Sequence, residues 1–308
     1  MHRYNLVTIC MIFVVVACSG GGGDDGPNPG GPDAGDPGVP DGGAADGFQT
    51  LITGDWSLPP GEAYRCVYKT IDREMYIKAM RPKIPVGTHH TVLTVGPKGP
   101  EDGVYSCNAG TNYGAQVYGS GVGTNALHLP DGIAVKLTPG DQLLLNLHLF
   151  NFSDGELTGN SGTEFIAADE SEVEHVGEAI MVSKFDLVIP PGPQKQSGTC
   201  TLSQDTTLIS VAPHMHMLGT HMKVVAHSSE IGSVTLIDDP YLFDEQIVEL
   251  LPQEVPMKAG DQIDIECSYD NTTGGSVTFG DSSLQEMCIS GHFRYPATRS
   301  GLFCSAGL

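Results

Sequence analysis

The chain has 308 residues, with 37 acidic against 15 basic side chains and a formal net charge of −22. A charge of that sign repels a phosphate backbone, which excludes nucleic acid as a partner. Glycine and proline, 40 and 21 residues, are in such excess that a helical bundle is excluded and an all-β chain punctuated by turns is expected.

Met1 to Cys18 carries Arg3, an apolar run of 12 residues from Leu6 to Ala17, and then Cys18. Spanning a bilayer takes about 20 residues, so residues 1–18 read as a cleaved export signal instead. Ala17 directly before Cys18, followed by a Gly/Asp/Pro stretch, resembles a bacterial lipoprotein signal. That resemblance implies lipidation of Cys18 and an exported protein of the bacterial cell envelope. Such a protein is either anchored in the outer membrane, which Ser19 favours, or periplasmic, and it touches the membrane only through the lipid. Residues 19–47 hold 12 Gly, 5 Pro and 6 Asp. They bury too little apolar surface to offset ordering entropy and read as a disordered linker.

Farther along, Val135 to Asn151 aligns with Val255 to Asn271 at an offset of 120 residues, each copy reading strand, Gly-Asp turn, strand. In the second copy Ile263, Ile265, Cys267 and Tyr269 alternate with polar residues, the pattern of a half-buried strand. The first copy, Leu143 to Phe150, is apolar on both faces except for Asn146 and His148. A period of 120 is too long for a solenoid and predicts two related β domains in tandem, residues 48–175 and 176–308. Sandwiches or jelly rolls are the expected architecture.

Histidines are the candidate chemistry. His89-His90 follows a Gly turn at a strand edge, and on an ideal strand the two would point to opposite faces. Their convergence on one ion therefore requires a bend. His148 sits alone in an apolar strand, where an unpaired imidazole is costly. His214 and His216 share a strand face, an arrangement that chelates one ion. His2, His128 and His175 need no role. No His-Glu-x-x-His, Gly-x-Ser-x-Gly, Gly-x-Gly-x-x-Gly or P-loop pattern is present. Beyond the signal, Cys66, Cys107, Cys200, Cys267, Cys288 and Cys304 form an even set that reads as three disulfides. Spacing alone permits 15 connectivities.

Taken in order, His89-His90, His148, Val188-Ile-Pro-Pro-Gly192, His214-x-His216 with Leu218-Gly219, and Glu286-Met287-Cys288 make the chain resemble the copper type II, ascorbate-dependent monooxygenases. That is the family of the peptidylglycine and dopamine enzymes. The resemblance implies two tandem jelly-roll domains, each with one copper, facing one another across a solvent-filled cleft. It implies an electron-transfer copper on His89, His90 and His148, and an oxygen-activating copper on His214, His216 and Met287. It pairs Cys66 with Cys107, Cys200 with Cys304, and Cys267 with Cys288. The implied reaction hydroxylates a C–H bond of a small-molecule or peptide substrate with O₂ and ascorbate or another reductant. Peptidylglycine enzymes hold the substrate carboxylate with an Arg where this chain has Ala212, and their Asn and Tyr after Met-Cys are here Ile289 and Gly291, which argues against that substrate. Asn146 falls where relatives often carry Gln, with a ligand-orienting and a packing role both open. His221 and His292 match no ligand of the family. The alternative function is a non-catalytic copper-binding or copper-handling lipoprotein on the same fold.

Overall fold

The computed structural model describes residues 46–112, 114–243, 245–299 and 303–307. The signal at 1–18, the lipid site at Cys18 and the linker up to residue 45 lie outside the described residues. Asp46, within the segment read as linker, accepts a hydrogen bond from Arg81.

Among the described residues the chain forms 22 strands in four sheets and a single 3-10 turn, Glu170–Glu172. The all-β expectation therefore holds. A six-stranded sheet of first-half strands runs through Gln49–Leu58, Leu157–Ala168, Met75–Lys83 and Ile133–Leu137. A four-stranded sheet of second-half strands orders Gly192–Thr201, Gln262–Asn271, Gly219–Ser228 and Gly232–Pro240. Between them in the architecture is a ten-stranded sheet to which both halves contribute. Its two parts meet where Glu178–Ser183 pairs with Ala115–Gly121 through Ala179 and Gln116.

Two hydrophobic cores follow from this layering. The first gathers Leu51, Trp56, Ile77 and Phe165 from the six-stranded sheet against Leu93, Leu143, Leu145, Leu147 and Leu149 from the ten-stranded sheet. The second gathers Met222, Val224, Ile263, Ile265 and Tyr269 against Val182, Leu208, Val211 and Val255. The strand Asp141–Asn151 is buried along both faces, as its sequence predicts. Each of its fully buried leucines stabilises the fold by about 1.5–3 kcal/mol. Gln262–Asn271 shows the predicted alternation, with Ile263, Ile265, Cys267 and Tyr269 inward.

The 120-residue repeat extends to individual hydrogen bonds. Gly140 and Gly260 both adopt positive φ, 89° and 95°, the left-handed conformation that glycine tolerates. Their amides donate to Ile71 O at 2.9 Å and Leu202 O at 2.8 Å. At the far end of each strand, Asn151 Nδ2 donates to Leu58 O and Gly155 O, and Asn271 Nδ2 donates to Ile189 O and Gly275 O. Ser153 and Thr273 return backbone N–H and hydroxyl bonds to the respective Oδ1 atoms at 2.9 and 2.7 Å. The two halves close the same turn with the same atoms.

Three disulfides form, Cys66–Cys107, Cys200–Cys304 and Cys267–Cys288. They are the pairs the family resemblance implies.

Candidate metal centre

The bend that adjacent histidines require is present. Thr88 pairs with Leu149 and His90 with His148, so His89 is the extra residue of a β-bulge, which redirects its side chain towards the same side as its neighbour. The bulge rests on a fixed base. Trp56, buried, donates from Nε1 to Ser161 Oγ at 2.6 Å, and that oxygen lies 2.6 Å from Thr88 Oγ1. Gly87 adopts φ +99°, and a Cβ there would lie 2.6 Å from the Trp56 ring. Only glycine fits between the indole and the histidine pair.

His89, His90 and His148 come together. Their Nδ1 atoms stand 3.2 Å (His89–His90), 3.3 Å (His89–His148) and 3.2 Å (His90–His148) apart. His148 is wholly buried, stacks on Tyr64 with centroids 4.4 Å apart, and commits Nε2–H to the Glu62 carboxylate. That bond leaves His148 Nδ1 a bare acceptor. Burial holds His90 well below the ordinary imidazole range and also lowers His148, with Glu62 opposing the latter. Converging lone pairs on neutral rings are the state a cation requires of its ligands. Nitrogens bonded tetrahedrally at ~2.0 Å would be about 3.3 Å apart. The three rings fit a metal ion.

The second set is built differently. His214 ends the strand Thr206–His214, and His216 lies two residues on, past Met215, which points into the second core. His214 Nδ1 is 3.0 Å from Gln246 Oε1, and His216 Nδ1 is 3.1 Å from Gln285 O. Because both acceptors claim the Nδ1 proton, Nε2 is the free ligand atom on each ring. The rings stand 5.4 Å apart and nearly perpendicular. Burial lowers both, His214 to about 3. Glu286 receives the backbone N–H groups of His216 at 3.0 Å and Leu218 at 2.7 Å, tying down the turn. Burial pushes its carboxyl up to about 7 despite those bonds. Met287 lines the same cavity as His214 and His216, its backbone held by the neighbouring Cys267–Cys288 disulfide and by the Tyr269 hydroxyl, which donates to Met287 O at 2.8 Å.

The two sets do not stand apart across an open cleft, as the resemblance implies. The His90 and His214 ring centroids are 6.5 Å apart, and Phe243 lies 5.1 Å from His89 and 6.4 Å from His216. Beside them runs a cavity of about 470 Å³ touched by His90, His214, His216 and Met287. Met181, Phe185, Ile247, Phe279, Ile289 and Phe303 make its lining largely apolar, and no Lys or Arg lines it among the described residues. Ala212, Ile289 and Gly291, the positions where a carboxylate clamp is missing, all face it.

Sequence reasoning missed Glu62, Phe243 and Gln246, each brought in from a distant strand or loop with no local signal, and gave Glu286 no role of its own. Asn146 is settled as a loop holder: Nδ2 donates to Asn108 O, Ala109 O and Thr111 O at 3.0–3.3 Å. The remaining histidines stay outside the two sets. His221 pairs with Asp238, His227 with Asp264, and His292 is buried between Ser290 Oγ and Ser210 O.

Comparison with known proteins finds relatives of one kind. Residues 176–306 match the family described as copper type II ascorbate-dependent monooxygenase, C-terminal domain. The chain is 27% identical over 272 residues to the human DBH-like monooxygenase protein 2, covering 76% of this chain and 53% of that protein. DBH-like monooxygenase protein 2 of Mus musculus is 26% identical over 200 residues, covering 58% of this chain and 32% of that protein. Human DBH-like monooxygenase protein 1 is 26% identical over 203 residues, covering 58% and 33%. The chain thus spans about half the length of the first relative and a third of the other two.

Proposed function

We propose, from its similarity to the copper type II ascorbate-dependent monooxygenases, that the chain hydroxylates a C–H bond of a small apolar substrate with O₂ and an external reductant such as ascorbate. His89, His90 and His148 would hold the copper that passes electrons; His214, His216 and Met287 would hold the copper that meets O₂. The observation that carries the reading is the meeting of two differently built imidazole sets beside one apolar cavity. Bound copper supplies one-electron redox chemistry, which imidazole tolerates in both oxidation states and a thioether biases towards Cu(I). The overall reaction consumes O₂, two electrons and two protons, and returns one oxygen atom to substrate and one to water.

The chain's own residues prepare that chemistry. Burial keeps the imidazoles neutral and available. Glu62, Gln246 and Gln285 fix which ring nitrogen faces inward. The largely apolar lining favours a substrate without a carboxylate, for which no Lys or Arg partner lines the cavity among the described residues. Three disulfides suit an exported protein, and lipid attachment at Cys18 in a bacterial envelope completes the proposal.

Copper stoichiometry followed by ascorbate-dependent O₂ uptake tests it, with isotopically labelled O₂ tracing one atom into product. Two coppers per chain and labelled product are expected. Fewer than one copper per chain overturns the reading. Two tightly held coppers without hydroxylation of any candidate would establish copper handling instead.

A further inference from the structure

Residues 241–243 and 245–248 belong to the second half, yet they are fastened at both ends of the site. At their start, the Tyr241 hydroxyl donates to Met215 O at 2.6 Å, between the two histidines of the second set, and Tyr241 N donates to Thr220 O at 3.0 Å. At Gln246 they meet the first half. The Thr124 hydroxyl donates to Gln246 O at 2.6 Å, and Gln246 N points to Val122 O at 3.5 Å. Thr124 Oγ1 is itself set by accepting Gly121 N at 2.8 Å. A Cβ on Gly121 would lie 2.8 Å from Gln246 Oε1, so the glycine leaves room for that amide. Gln246 Nε2 donates to Phe243 O at 3.2 Å, which orients the amide and leaves Oε1 to receive His214 Nδ1–H.

Resting on the function proposed above, we infer that Gln246 is a positioning residue through which the first half sets the orientation of His214. The backbone of Gln246 is held by the first-half turn Gly121–Thr124, while its side chain fixes the ring that would bind copper in the second set. Removal of the turn's hydroxyl, which touches no copper ligand, then loosens the second set and leaves the first intact. Partners of this kind change metal affinity by about 10–100-fold when lost. Phe243, packed against His89 and near His216, lies three residues before Gln246.

The test is a Cu(I) titration of the full chain against a chromophoric competitor, with X-ray absorption reporting the sulfur neighbour that only the Met287 site supplies. Wild type binding two Cu(I), one with a sulfur neighbour, upholds the copper reading; failure to bind copper overturns that reading before the variants are considered. Gln246→Ala is expected to weaken the sulfur-bearing site by about 10–100-fold and to leave the other unchanged. Thr124→Val should weaken it in the same site-selective way, and Thr124→Ser, which keeps the hydroxyl, should restore it. If wild type binds normally but both variants keep the sulfur-bearing site within threefold, the positioning role is wrong. Equal loss at both sites, with a fall in Tm, would mean general destabilisation and would equally overturn it.

Discussion

Replacing Glu62 is the sharpest test of how the first set is prepared. Glu62 reaches His148 from the neighbouring strand Gly61–Thr70, whose Tyr64 pairs directly with His148. The carboxylate accepts His148 Nε2–H and so leaves Nδ1 free to join the two other Nδ1 atoms. A hydrogen bond to a charged group contributes about 1.5–3 kcal/mol. The Glu62 side chain is 35% exposed, so solvent screening reduces the effect to the lower end of that range and below it, about 1–2 kcal/mol. That corresponds to roughly a 5- to 30-fold loss of copper affinity at the first set for Glu62→Ala. Glu62→Gln keeps an accepting oxygen but loses the charge, and is expected between the two. Competitive Cu(I) titration measures the series directly, with the Met287 site as internal control. A flat series, or an equal loss at both sites, would refute the assignment of Glu62 as the group that fixes the His148 tautomer.

Other expectations follow from packing and titration. His292 is buried, with its pKa pushed down to about 4 from an ordinary 6.5 by desolvation. Between those values the unfolded chain binds a proton that the folded chain does not, so stability is present above pH 6.5 and falls as pH drops towards 4. The loss amounts to about 3 kcal/mol, and urea unfolding of the metal-free protein at pH 7 and pH 5 should show a smaller difference in His292→Gln than in wild type. Gly159→Ala sets a Cβ 2.3 Å from the Trp56 ring; an overpacking cost of about 1–3 kcal/mol should lower Tm, and an unchanged Tm would contradict the packing. Asn151→Ala and Asn271→Ala strip matching hydrogen bonds from buried turns. Each should cost about 2–3 kcal/mol by chemical denaturation, and losses differing by several-fold would show that the repeat is geometric only.

Much of the fold was legible because it is written in local pattern. The period of two in Gln262–Asn271, the doubly apolar run of Asp141–Asn151 and the Gly-Asp turns each depend on neighbours in sequence, and each appears as read. The grouping of His89, His90 and His148 was accessible from motif order, but the bulge that permits it depends on pairing with a strand about 60 residues away. The second-set histidines were legible as an i, i+2 pair. What orients them was not, since Gln246 lies 32 residues from His214 and Gln285 lies 69 from His216. Nor could composition reveal that one sheet draws strands from both halves, because sheet continuity through Ala179 and Gln116 carries no sequence signature. His90 and His214 both lie on that shared sheet, and their rings stand 6.5 Å apart.

Trp56 is the only tryptophan in the chain, and its ring lies against Gly87, two residues before His89. The protein therefore carries a single indole fluorophore, which can be excited selectively over tyrosine, lodged beneath one of its two imidazole sets and rooted in the first core rather than the second. Paramagnetic Cu(II) quenches indole emission at short range, whereas closed-shell Cu(I) lacks unpaired electrons. With copper held at His89, His90 and His148 as proposed, emission from this one indole would follow the metal's oxidation state in real time, with no label introduced. Under the roles proposed above, electron passage would then be timed from the donor side.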